Sequence, residues 1–227
     1  FANAYSNLGH ITKDLGNYNE AINNYKKAIN INKDLSGAKS GLIETKGIIC
    51  DWSDQETQTA WMGELGIKGS SINPLGIFYY EDNPSNQLKR SQNFYKEKFI
   101  KKKYDFPMFK NNKIHIGYFS ADFKKHATMH LIASILEFHD KSIFEIYLYS
   151  FTPKEDEYTQ RAKESGCIFR DIKHLNTIES VNLARSDKLD IAIDLKGYTK
   201  NCRMNIFAHR VAPIQINYLG YPGTLGA

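Results

Sequence analysis

No run of apolar residues in this chain approaches the roughly eighteen that a membrane-spanning helix needs, and no signal-peptide pattern opens it. Both absences argue for an intracellular, cytoplasmic protein with no membrane partner. Cysteine is scarce. Cys50, Cys167 and Cys202 stand far apart, with no CxxC pair and no even-numbered set, which suits a reducing compartment and excludes a disulfide framework. Nor do His10, His115, His139, His174 and His209 show the mutual spacing a metal requires, so no metal is expected. Two nucleotide-binding signatures are also missing: the GxGxxG of dinucleotide folds and the GKS or GKT of a P-loop. A dehydrogenase and a P-loop NTPase are therefore unsupported. Charge of one sign is weak, at net +5 over 227 residues. The tightest basic run, Lys101 to Lys103, reads as solvated surface in a connector, whereas a nucleic-acid binder gathers its Lys and Arg on one face. Nucleic acid is not an expected partner.

What is present supports a packed core. Hydrophobic residues make up 41% and aromatics 13% of the chain, and its length admits one large domain or two small ones. The first residue is Phe1 rather than Met and the last is Ala227 after a glycine-rich turn; both ends read as truncations of a longer protein.

Residues 1–49 carry a helical period. Tyr5, Leu8 and Gly9 fall on one face of a first helix, and Ala21, Tyr25 and Ala28 on one face of a second, with Gly16-Asn17 breaking the pattern between them. Small residues at Gly9 and Ala21 permit close approach. This spacing resembles the 34-residue tetratricopeptide repeat, although Thr12 stands where an aromatic is common and Lys33 where proline is common. Leu35, Ala38 and Leu42 begin another unit, which departs from the repeat at Cys50-Asp51-Trp52.

Residues 50–110 read as a helical connector. One helix is expected over SDQETQTAWMGEL, capped by Ser53 with Glu56 three residues later. A loop with Pro74 follows, then a second helix near SNQLKRSQNFYKEKFI. From Lys113 the period changes. Strands are expected at KIHIGYFS, FEIYLYSF, CIFRDI, LDIAIDLKGY and PIQINYLGY. Helices fall between them, the first with Met129, Ile132, Ile135 and Leu136 on one side. Strands alternating with helices imply parallel βαβ units in a doubly wound sheet.

Ligands of open α/β sheets bind beyond the carboxyl ends of the strands. That rule selects three segments: SADFKKHATM, LKGYTKN and LGYPGTLG. His126 in the first, ahead of a helix, suits an acid, a base or a phosphate ligand, or else is an ordinary polar loop residue; His130, a turn further on, reads as structural. Asp190 and Asp194 share one side of the fourth strand, with Asp194 nearer the carboxyl end. Beyond Gly197, Tyr198, Thr199 and Lys200 offer hydroxyl and ammonium donors suited to a sugar or phosphate, or else form a solvated turn.

Longer strings go further. CDWSD (Cys50 to Asp54), GYFSADFKKH (Gly117 to His126), FEIYLYS (Phe144 to Ser150), DLKGYTKNCR (Asp194 to Arg203) and APIQINYLGYPGTLGA (Ala212 to Ala227) occur in this order. Together they resemble the protein O-GlcNAc transferase family and its bacterial and spindly-type relatives. The resemblance implies α plus α/β architecture: the end of a tetratricopeptide array over 1–49, a connector over 50–110, and a Rossmann-like first lobe of a GT-B fold over 111–227. It implies an inverting, metal-independent transfer of sugar, N-acetylglucosamine from UDP-GlcNAc, to Ser or Thr of acceptor proteins recruited through the repeats. No cofactor beyond the donor is implied. His126 matches the family's catalytic candidate, and Asp194, Tyr198, Thr199 and Lys200 match its substrate-binding segment. Ala127 stands where relatives carry proline, and Asn201-Cys202 where they carry Gly-Ala. Fucose is the alternative sugar, and a non-catalytic repeat scaffold with a remnant lobe is the alternative function. A second lobe bearing a phosphate-contacting Lys would separate enzyme from scaffold.

Overall fold

The computed structural model describes residues 1–107 and 110–227; the part of the expected connector at Met108 and Phe109 lies outside the described residues. The chain divides into two compact units, residues 1–98 with 224–227, and residues 99–223.

In the first unit α1 (Ala2–Asp14) and α2 (Tyr18–Ile31) form a helical hairpin, followed by α3 (Ser36–Ile48). Gly16 makes the first turn at φ +81°, where a side chain is strained. Ala21, Tyr25 and Ala28 are buried as the period predicts, and pack with Ala38 and Leu42. Leu8, expected on the same face of α1, is instead exposed. The helix buries the narrower stripe of Ser6, Gly9 and Thr12, spaced three apart. Gly9 in that stripe admits the Tyr25 ring. A Cβ on Gly9 would lie 2.6 Å from that ring, and one on Gly41 would lie 2.4 Å away. Thr12 satisfies its own hydroxyl on the carbonyl of Leu8, at 2.9 Å.

Past α3 the packing turns polar. Lys46 is buried, and its Nζ reaches Asp54 at 2.6 Å, Asp51 at 3.1 Å and the hydroxyl of Ser53 at 2.9 Å. The helix expected next is present as α4 (Gln55–Met62), but Ser53 does not cap it. Asp54 holds that position with no side-chain cap bond, because the Ser53 hydroxyl is drawn to Lys46 and Asp51. A single 3-10 turn at Pro74–Ile77 follows, and then α5 (Pro84–Lys98). Arg90 of α5 is fully buried. Its guanidinium donates to the carbonyls of Leu65 and Met62 and pairs with Glu81 at 3.0 Å.

The second unit is a five-stranded parallel sheet. Its elements are β1 (Ile114–Ser120), α6 (Ala127–Phe138), β2 (Phe144–Ser150), α7 (Glu157–Glu164), β3 (Ile168–Asp171), α8 (Thr177–Ser186), β4 (Ile191–Asp194), α9 (Met204–Ala208) and β5 (Ile214–Asn217). The strand order is β3-β2-β1-β4-β5. Met129, Ile132 and Leu136 of α6 pack against Ile116, Tyr118 and Leu148 of the sheet. Ile135, expected beside them, is exposed; its place in the core is taken by Ala133, in step with the 3.6-residue turn. Elsewhere in this unit Phe119 stacks on Tyr149 and meets the edge of Phe207.

Candidate active site

In the order β3-β2-β1-β4-β5 the direction of winding reverses between β1 and β4. Neighbouring strands there send their following loops to opposite faces, and a crevice opens at their carboxyl ends. The two loops concerned are Ala121 to His126 and Leu195 to Cys202. Phe119 of β1 is in register with Asp194 of β4, so both loops leave the sheet at nearly one level.

The β1 loop is anchored from several sides. Ser120 accepts the N–H of Asp122 at 2.9 Å. Phe123 is buried in the core, and its carbonyl accepts the hydroxyl of Thr159 at 2.6 Å. The N–H of Lys125 donates to Asp156 at 2.7 Å. At the end of this loop His126 caps α6: its Nδ1 accepts the N–H of Thr128 at 3.2 Å. With Nδ1 occupied as an acceptor, the neutral ring carries its proton on Nε2 and presents it as a donor. The side chain keeps 43% of its surface exposed, and Nδ1 lies 3.7 Å from Oδ2 of Asp122.

The β4 loop is organised by Asp194, which is 4% exposed. One carboxylate oxygen accepts the N–H of Lys196 at 2.9 Å and the other that of Gly197 at 3.0 Å. Burial pushes its pKa up to about 6, against the pull of those two N–H groups and of the Lys196 charge. Gly197 takes φ +53°, and a Cβ there would lie 2.3 Å from Tyr221. Tyr198 is buried, stacked on Phe99 and set edge-on to Tyr221. Thr199 donates its hydroxyl to the carbonyl of Lys196 at 2.8 Å, while Lys200 is exposed.

Of the five residues expected at the site, His126 and Lys200 thus face solvent and Thr199 does so in part. Asp194 and Tyr198 point inward and build the loop. What joins the two loops is a residue the sequence reading passed over: Nζ of Lys196 donates to Oδ2 of Asp122 at 2.5 Å, with both side chains below 8% exposed. The one signal for it was position, two residues past a strand-end aspartate and at the switch point. Among the described residues no group of three or more His, Cys, Asp or Glu is placed to hold a metal, and no helix is long and apolar enough to cross a membrane.

A model of glycosyl transferase family 41 matches residues 87–227, which include both loops. The chain belongs to glycosyl transferase family 41. A tetratricopeptide-repeat model matches residues 2–35, the α1–α2 hairpin and the approach to α3. Among curated relatives of this family-41 chain, a probable UDP-N-acetylglucosamine–peptide N-acetylglucosaminyltransferase, SEC of Arabidopsis thaliana, is 30% identical over 206 residues. That alignment covers 82% of this chain and 21% of the relative. The SPINDLY protein of Oryza sativa subsp. japonica, which bears the same enzyme name, is 31% identical over 67% of this chain and 17% of its own length. The chain therefore spans about a fifth of the length of these relatives. A solved mutant of the O-GlcNAc transferase of Thermobaculum terrenum superposes with a TM-score of 0.70 at 22% identity, over 99% of this chain and 45% of that one. The likeness is one of fold: helical hairpins leading into a Rossmann-like parallel lobe of the GT-B kind.

A separate concavity belongs to the first unit. It measures about 800 Å³ and is lined by α1 and α3 together with Trp52, Tyr79 and Tyr80. Lys13 and Glu44 pair on its wall at 2.9 Å.

Proposed function

We propose that this family-41 chain is part of a nucleotide-sugar-dependent protein O-glycosyltransferase that moves N-acetylglucosamine from UDP-GlcNAc to Ser or Thr of cytoplasmic proteins. In this reading residues 1–49 end the repeat array, 50–110 connect, and 111–227 form the first catalytic lobe. The observation that carries it is the placement of His126 and the β4 loop at the switch point of a family-41 lobe. An exposed imidazole offering Nε2–H can orient an acceptor hydroxyl or a donor oxygen, and Thr199 and Lys200 line the opposite loop. Asp194 and Tyr198 act from within, by fixing the path of that loop.

The chemistry asks for a hydroxyl held in line with the anomeric carbon and for stabilisation of the departing diphosphate. Positioning and preorganised donors supply most of the rate in such a site. No resident metal or cofactor is invoked, and the nucleotide sugar is a substrate. Acceptor proteins reach the site by way of the repeats, whose wall carries the cavity described above.

The test is a donor screen with the complete parent protein, offering UDP-N-acetylglucosamine and GDP-fucose to a cell lysate and reading acceptor mass. Addition of N-acetylhexosamine supports the proposal. Addition of deoxyhexose keeps the transferase and replaces the sugar. No addition from either donor moves the function to a repeat scaffold.

A further inference from the structure

The pair between Lys196 and Asp122 bridges the two loops of the switch point, yet neither residue is placed to meet a substrate: both are more than nine-tenths buried. Its consequence lies at His126. The Oδ2 atom of Asp122 that receives the Lys196 ammonium is the same atom that stands 3.7 Å from Nδ1 of His126. Three groups therefore surround Nδ1: the Thr128 N–H at 3.2 Å, which needs a lone pair there, the Thr128 hydroxyl at 3.2 Å, which suits either form, and the Asp122 carboxylate, which would need a proton there. The charged and titratable groups around this point are few. Asp122, Lys124 and Lys125 lie on the β1 loop, His130 lies one turn along α6, Asp156 accepts the Lys125 N–H, and Asp194, Lys196, Lys200 and Cys202 belong to β4 and its loop.

We propose that Lys196 is a positioning residue: by pairing with Asp122 it leaves Nδ1 of His126 to the α6 backbone and keeps Nε2–H directed outward. This rests on the reading of His126 as the group that meets substrate, and it names the residue that sets its tautomer. Without the ammonium, Asp122 is a buried carboxylate lacking its counter-charge. A carboxylate in that state takes a proton or draws a cation, and the nearest group able to charge is His126. Its ring would then carry a proton on Nδ1, turn from the Thr128 N–H and titrate at higher pH, since an opposite charge within about 4–6 Å favours the charged form.

The test uses the complete protein with ¹⁵N-labelled histidine, His126→Ala assigning the resonance. In the unsubstituted protein the high-pH ¹⁵N pattern should be that of an Nε2–H ring. Lys196→Met should raise the His126 midpoint by about one pH unit and move the proton to Nδ1. An unmoved midpoint and tautomer in a folded Lys196→Met overturn the proposal. Should that variant fail to fold, Asp122→Asn is compared with the double variant Asp122→Asn/Lys196→Met. The single variant leaves an uncompensated ammonium and should titrate below the double one, and coincident midpoints overturn the proposal. Transfer activity is followed in parallel. A moved midpoint in a protein whose wild-type form transfers no sugar upholds the positioning role and removes the transferase reading instead.

Discussion

Asp194 has its carboxylate closed off from solvent at the end of β4, and burial raises its pKa from 3.8 to about 6. The folded value lies above the unfolded one, so the group favours folding when protonated. That contribution is fully present below about pH 4 and is lost as the pH rises through 6. About two units at 1.36 kcal/mol each come to about 3 kcal/mol. Asp194→Asn removes this titration while losing one N–H acceptor, an offset that does not depend on pH. Denaturant unfolding at pH 4 to 7 should show the variant gaining on the wild type by up to about 3 kcal/mol as the pH rises. A difference that stays flat would contradict the burial of an ionisable carboxyl there. His10 and His139 are shifted downward, chiefly by burial, and give the opposite slope, but they are common to both proteins and cancel.

Elements carry the next set of effects. Asp156 caps α7 through the N–H groups of Tyr158 and Thr159 and also accepts the N–H of Lys125 from the loop that bears His126. Asp156→Ala should cost about 1–2 kcal/mol as a lost cap and should hasten hydrogen exchange at Lys125. Loss of the cap with no change at Lys125 would detach α7 from the site. On α3, packed against the repeat hairpin, Gly41→Ala sets a methyl 2.4 Å from the Tyr25 ring. Overpacking of this kind costs about 1–3 kcal/mol, against a gain of roughly 0.8–1 kcal/mol at an unobstructed helix position. Thermal unfolding should therefore fall with Gly41→Ala and recover in part when Tyr25→Leu is added. These elements were legible because apolar residues alone mark them: period 3.6 from Ala21 to Ala28, and the β1 and β2 strands as runs of Ile, Tyr and Phe. Residues 50–98 were harder for the converse reason. Their order is kept by Arg90, whose carbonyl partners lie 25 and 28 residues away, and by the polar contacts of Lys46 and Glu81, which no apolar period marks. The Ser53 cap failed likewise, since nothing local announces that Lys46 takes its hydroxyl. The site was legible as segments, through the rule that ligands meet strand ends, and illegible as contacts. Which of Asp194, Tyr198 and Lys200 faces inward depends on the turn at Gly197, and the Lys196 pair joins residues 74 apart in sequence.

At the scale of the whole molecule, this chain covers about a fifth of its curated relatives, and in the proposed reading it holds the first of two catalytic lobes. The 227-residue chain alone should give no turnover with sugar nucleotide, while the complete parent should. Turnover by the isolated chain would place the whole donor site within it. The most direct measurement of the central claim is kcat/KM for protein O-glycosylation by the complete parent, with His126→Ala and His130→Ala side by side. His130 lies one turn along α6 with its ring against Tyr158 and serves as the control. His126→Ala should lose about 10²-fold or more, in the range of a lost proton-transfer or orienting group, with His130→Ala near wild type. Rates within a few-fold of wild type for His126→Ala, or equal losses for both variants, would contradict the claim.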